Sequence, residues 1–253
     1  MLRKRIIPTI LLKNNVVVKG TYFNNYNYIG DPINIVRIFS DKPIDELMFF
    51  RIDGLINIDF LDQISSECFI PFSIGGNIRT AKEASLMIKN GAEKVVLNSI
   101  VFKDKNIIRS ISNSFGSQAV VVCFDVKKIN DDYILFSNNG KTKENCNLIE
   151  LIQEVQFLGA GEILVQLIDR DGTFEGYDLH LISTIKHYVY VPFDISCGAK
   201  NEQSLIDGFK AGADACCAGS LFIYKNNNKK SILINIPNRE RIDYENLQKM
   251  YNE

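Results

Sequence analysis

The stretch VVVCFDVKK (120–128) is an apolar, β-branched run that carries one acid, Asp125, near its end. A carboxylate at the C-terminal end of a buried strand is placed to give or take a proton. RIIPTILLKN (5–14) has the same shape, and superposing Lys13 on Lys127 sets Leu11 opposite Asp125. Two similar strands therefore hold a single acid between them.

Four short stretches rich in small residues could bind anions: SIGGNI (73–78), LNS (97–99), ISCGAK (195–200) and AGS (218–220). Glycines let backbone N–H groups approach an anion closely, and a following helix N-terminus adds partial positive charge. Gly75, Gly76, Asn98 and Ser99 would form one phosphate cradle, and Gly198, Gly219 and Ser220 its twin. A substrate with a phosphate at each end would bridge them. The alternative is that these glycines only permit tight strand-to-helix turns. IDRDGT (168–173) adds Asp169 and Asp171, with Gly172 for the turn, as further substrate ligands or as loop caps. Lys19, in VVVKG, fits either a phosphate ligand or a solvated lysine.

These residues need a frame. Apolar runs begin near Arg5, Glu46, Ile70, Lys94, Ala119, Glu162, Val191 and Asp214, with amphipathic helical patterns between most of them. TAKEASLMIKNGA (80–92) and NEQSLIDGFKAGA (201–213) each open on an N-cap residue, Thr80 or Asn201, and close on glycine. Eight strand–helix units in this length predict a closed (β/α)8 barrel of the TIM type, with function at the C-terminal strand ends. A doubly wound sheet is the lesser alternative, since no G-x-G-x-x-G follows the first strand.

The chain also repeats. IPFSIGG…NGAEKVVLNS lies over VPFDISC…AGADACCAGS at a shift of 121 residues, which sets Gly91 on Gly212 and Ser99 on Ser220. We therefore expect one domain over 1–253, built of half-barrels at about 1–115 and 116–225, with an atypical tail at 226–253. Residues 127–142 read as an inserted β-hairpin, SILINIP in the tail as an extra strand or extended segment, and the chain's end as a short helix. At the opposite rim, Arg5, Glu46, Lys94 and Glu162 each stand at the start of a strand; they form a ring of two cations and two anions, or are surface charges at strand entries.

Of 253 residues, 46% are hydrophobic and 23% charged, with a net charge of −1, as in ordinary globular chains without a basic stripe for nucleic acid. Apolar runs of about eight residues or fewer are too short to span a bilayer. None of the six cysteines forms C-x-x-C and neither histidine lies near them, so we expect no metal, no cofactor and reduced thiols in a cytoplasmic protein.

Seven ordered motifs, among them PFSIGGNI, GAEKVVLNS, FGSQAVVVCFDVK and IDRDGT, resemble the cyclase subunit family of imidazole-glycerol-phosphate synthase over residues 1–224. The resemblance implies a glutaminase subunit docked on the N-terminal rim near Gln118. It implies ammonia passing a gate that maps onto Arg5, Glu46, Lys94 and Glu162, and a phosphorylated small-molecule substrate at the other mouth. It also implies two catalytic aspartates, of which Asp125 matches one and Leu11 replaces the other. Arg51 replaces a further aspartate, and Asn77 and Cys197 replace glycines. IIPTILLKNN, YFNNYNYIGDP and KKSILINIPNRE are more similar to a paralogous branch. That branch implies ammonia supply for acetamidino groups on lipopolysaccharide or other surface sugars, with a sugar amidotransferase as a further partner. Two alternatives stand beside it: a histidine-pathway cyclase with one acid substituted, and a non-catalytic conduit that activates the glutaminase.

Overall fold

The computed structural model describes residues 3–236. Eight parallel strands close on themselves: β1 (Arg5–Lys13), β4 (Leu47–Arg51), β5 (Phe72–Gly75), β6 (Lys94–Leu97), β7 (Val120–Ile129), β10 (Glu162–Leu167), β11 (Phe193–Ser196) and β12 (Ala215–Ala218). They pair in that order around the barrel, and β12 pairs with β1 to complete the ring. Most connections carry a helix: α1 (Pro32–Ser40), α2 (Ile58–Glu67), α3 (Ala81–Lys89), α4 (Asn106–Phe115), α5 (Leu148–Phe157), α6 (Leu179–Lys186) and α7 (Glu202–Lys210). The fold is a (β/α)8 TIM barrel.

Local signals explain the helix borders. Thr80 caps α3 in a capping box with Glu83, and Asn201 accepts from the Ser204 N–H at the start of α7. Gly91 and Gly212 take positive φ where the chain turns back toward β6 and β12.

Alternation along each strand divides its side chains between two cores. On β1, Ile6, Ile10 and Leu12 pack outward against the helices, whereas Arg5, Ile7, Thr9 and Leu11 face the barrel axis. The axis is therefore layered. Arg5, Glu46, Lys94 and Glu162 form its N-terminal layer. Ile7, Met48, Val96, Val121, Leu164 and Cys217 fill an apolar middle. Leu11, Phe50, Asn98, Asp125 and Gln166 line the C-terminal mouth.

Three features decorate that mouth. β7 runs past the barrel into β8 (Asp132–Ser137) through Asn130 and Asp131, both at positive φ, and β9 (Thr142–Lys143) follows. This is the hairpin expected from the sequence. A second hairpin, β2 (Val16–Thr21) and β3 (Asn24–Gly30), follows β1 directly and was not anticipated. In place of a regular eighth helix stands the single turn α8 (Ser220–Ile223). After it, the expected tail segment runs back antiparallel along α8: Ile232 bridges Tyr224, and the Leu233 and Asn235 N–H groups donate to the Ile223 and Phe222 carbonyls. The expected terminal helix lies outside the described residues.

Candidate functional site

The mouth encloses a cavity of about 550 Å³, which suits a small metabolite. Asp125 projects into it from β7 and is only 5% exposed. Burial pushes its carboxyl up to about 7, against downward pulls from the Asn98 amide and the Cys123 thiol. A carboxyl near neutrality can both donate and accept a proton at physiological pH. Leu11 lines the same cavity, so position 11 adds no carboxylate to it.

Asp171 enters from the loop after β10. Its Oδ1 accepts from Lys19 Nζ at 2.9 Å, and its Oδ2 accepts from the Phe23 N–H at 3.1 Å. Lys19 is thus neither solvated nor free but buried in an ion pair. Burial alone would lower its pKa, yet Asp171 outweighs this and holds the ammonium above its ordinary value. The pair docks the β2–β3 turn onto the mouth. Lys229, from the tail, donates to Thr21 Oγ1 on the same hairpin.

In the first cradle the Ser99 hydroxyl is already hydrogen-bonded within the protein, at the edge of the open cavity. Ser99 Oγ donates to Asn98 Oδ1 at 3.0 Å and accepts from the Asn138 N–H at 2.9 Å. Asn139 donates to the Ile52 carbonyl at 3.2 Å, so the β8–β9 turn spans the cavity from the β6 loop to the β4 loop. Gly76 lies against Arg51: a Cβ there would sit 2.2 Å from the Arg51 carbonyl oxygen. Gly75 lies deeper, where Phe50 and Val96 fill the space a side chain would need. Gly76 and Cys197, 121 residues apart, both take positive φ, as do Asn77 and Gly198. Asn tolerates this conformation well; Cys197 adopts it without that advantage.

The second cradle is a small recess lined by Gly172, Gly198, Gly219 and Ser220, beside Lys19. Among the described residues the buried Ser220 Oγ has no hydrogen-bond partner, a hydroxyl available to an incoming oxyanion. Asp169 lies elsewhere. It is exposed, and its carboxylate accepts from the Lys128 N–H at 2.7 Å, which makes it a loop cap.

At the other end of the axis the four strand-start charges do meet. Arg5 reaches Glu46 at 3.0 Å and also Glu162, and Lys94 reaches Glu46 at 2.7 Å and Glu162 at 2.8 Å. A fifth member went unnoticed in the sequence: Asp194 Oδ1 accepts from Arg5 Nη2 at 3.0 Å. Its signal was the lone acid inside VPFDISC, one residue beyond a strand entry. Burial and the neighbouring Glu162 push the Asp194 carboxyl well above the usual range, which favours its neutral form. Glu162 is also buried, yet the hydrogen bond with Asp194, Arg5 and Lys94 pull it down to about 2. Gln118 stands at the same end, exposed, its amide donating to the Phe115 carbonyl at 3.0 Å.

Among the described residues no cluster of three His, Cys, Asp or Glu is arranged to hold a metal. None of their helices is long and apolar enough to cross a membrane.

Residues 5–228 match the family model described as "Histidine biosynthesis protein". The chain belongs to this family. Its relatives are cyclase-type subunits named for imidazole glycerol phosphate synthase. The chain is 38% identical over 247 residues, 94% of each protein, to the putative imidazole glycerol phosphate synthase subunit hisF3 of Vibrio vulnificus. It is 36% identical over 250 residues, 96% of this chain and 99% of the relative, to the putative subunit hisF2 of Pseudomonas aeruginosa. It is 38% identical over 227 residues, 88% and 91%, to the imidazole glycerol phosphate synthase subunit HisF of Exiguobacterium sibiricum. The family resemblance read from the motifs thus holds; nothing in these relatives' names speaks of surface sugars.

Proposed function

We propose that this chain is the synthase subunit of a glutamine-dependent, two-component enzyme of the imidazole-glycerol-phosphate-synthase kind. A glutaminase docks over the N-terminal rim near Gln118, the ring of Arg5, Glu46, Lys94, Glu162 and Asp194 gates the axis, and ammonia crosses the apolar middle. A phosphorylated small molecule, held by the two cradles, reacts at the mouth beside Asp125. One observation carries this reading: the charged ring, the apolar middle and a carboxyl at about 7 lie along one barrel axis. Neutral ammonia suits the apolar stretch, and an acid–base group near neutrality suits the condensation and cyclisation that follow. All six cysteines are free, which suits a reducing cytoplasm. The test is complementation. A cyclase-deficient strain carrying this gene, with its glutaminase, should grow on minimal medium without histidine.

A second reading is favoured by Leu11 in the mouth. In this reading the same relay supplies ammonia for acetamidino groups on surface sugars, together with a sugar amidotransferase. Failed complementation, with loss of acetamidino groups when the gene is deleted, selects it. If Asp125→Asn leaves both product formation and glutaminase activation at wild-type level, the barrel is a conduit and neither chemistry occurs at the mouth.

A further inference from the structure

Residues 224–232 of the tail go out and come back as a short excursion. Tyr224 bridges Ile232, and the Lys225 N–H donates to the Ser231 carbonyl at 3.0 Å. The Lys229 N–H donates to the Asn226 carbonyl at 3.2 Å, which closes the turn at the tip. That tip lies at the β2–β3 hairpin. Lys229 Nζ donates to Thr21 Oγ1, and a Cβ on Gly172 would meet the same nitrogen at 3.2 Å. One ammonium therefore touches the end of β2 and the loop after β10 together. Burial lowers the Lys229 pKa, with Asp171 pulling it up and Lys19 pushing it down, so the three charges act as one small group.

The hairpin is held to the same loop. Lys19 Nζ donates to Asp171 Oδ1, the Phe23 N–H donates to Oδ2, and the Tyr22 N–H donates to the Asp171 carbonyl at 3.1 Å. Gly172 packs on the Gly20 carbonyl, where a Cβ would stand 2.5 Å away. Residues 19–23 thus lie on Asp171 and Gly172 without slack. Lys19 in turn walls the second recess: a Cβ on Gly219 would meet its Cε at 3.0 Å, next to the Ser220 that lines the same recess. The barrel itself closes through β12 and β1 without any of these contacts, so what they shape is the mouth.

We propose that Lys229 is a positioning residue for an oxyanion at the second recess: its clasp on Thr21 holds the β2–β3 hairpin on Asp171 and Gly172 and so fixes Lys19 beside Ser220. The tail excursion, which lies outside the repeating half-barrels, then sets the affinity of that one seat. This inference rests on the reading of the recess as a phosphate cradle.

Two-dimensional NMR of the full chain tests both, with orthophosphate as the probe. In the wild type, orthophosphate should shift the Gly219 and Ser220 amides saturably. Lys229→Met and Thr21→Val each remove one side of the clasp. Each should speed hydrogen exchange at the Tyr22 and Phe23 amides and weaken orthophosphate binding at Ser220, both by about tenfold, the usual worth of a charge-assisted hydrogen bond. Thr21→Ser keeps the hydroxyl and should keep wild-type values, and the double variant should be no worse than either single one. Faster exchange with unchanged orthophosphate affinity, wild-type exchange in both single variants, or losses that add in the double variant overturn the positioning role alone. A wild type whose Ser220 amide does not respond to orthophosphate overturns the phosphate reading of the recess, and this inference with it.

Discussion

Asp194 Oδ1 stands 3.0 Å from Arg5 Nη2 at the N-terminal end of the barrel axis, which makes the charged ring a five-membered one. Two cations face three carboxyls there: Arg5 and Lys94 hold Glu162 low, whereas burial raises Glu46 and favours the neutral form of Asp194. Removing one ionised partner leaves a buried cation uncompensated, whereas removing the neutral member's acidity does not. Glu162→Ala should therefore destabilise the fold by about 3–5 kcal/mol, and Asp194→Asn by no more than about 1 kcal/mol. Urea unfolding of both variants measures the difference; equal losses would show that Asp194 is ionised in the native ring. With the glutaminase bound, Glu46→Ala and Glu162→Ala should also uncouple glutamine hydrolysis from product formation.

Asp125 makes stability depend on pH in a definite direction. Its folded pKa, about 7, lies above the ordinary aspartate value of 3.8, so the native state holds the proton more tightly than the unfolded chain. That contribution is complete below pH 4 and is lost as pH rises through 7. Asp125→Asn should then stabilise the protein at pH 8, by roughly 2–4 kcal/mol, and the gain should shrink toward zero near pH 4. Thermal unfolding across this range reads it. A gain that is constant with pH would place the Asp125 pKa at its ordinary value.

Much of the frame was legible because it rests on local rules. Strand starts inferred from apolar runs lie within two residues of those found, and Thr80 and Asn201 cap helices as their types suggest. What escaped depends on contacts distant in sequence. The β2–β3 hairpin has a polar, Asn-rich second strand, NNYNYIG, with little apolar alternation; it is held by Asp171, about 150 residues away. Asp194 joins the ring only because β11 starts one residue deeper than its acid-bearing neighbours. The occupation of Ser99 by Asn138 follows from how far the β8–β9 turn leans, which spacing does not encode. Asp169 and Asp171 share one short motif, yet one caps a loop and the other meets Lys19, and no local signal tells them apart.

Leu11 faces the same cavity as Asp125, so Leu11→Asp restores a second carboxyl without crossing the core. With ammonium salts as the nitrogen source and the bisphosphorylated ribose-aminoimidazole compound as substrate, turnover should rise by about a hundredfold, the lower range of general acid–base catalysis. Steady-state assays from pH 6 to 9 test this. No turnover in either form would count against the histidine-pathway reading and leave the sugar reading standing.

Gly76→Ala should be costly. It combines a φ of +122° with a Cβ 2.2 Å from the Arg51 carbonyl, and such strain is worth about 1–3 kcal/mol or more. Gly54→Ala, also at the mouth, meets nothing within 4 Å and should be nearly neutral. Comparing the two melting temperatures checks the assignment of Gly76 as a packing contact of the cradle.

The apolar middle of the axis has a consequence for protons. An ion passing Ile7, Met48, Val121 and Leu164 would shed its hydration with nothing to replace it, at a cost far beyond thermal energy. The axis itself therefore passes neutral molecules and stops charged ones. In the proposed relay, a nitrogen that crosses here leaves its extra proton at the charged ring.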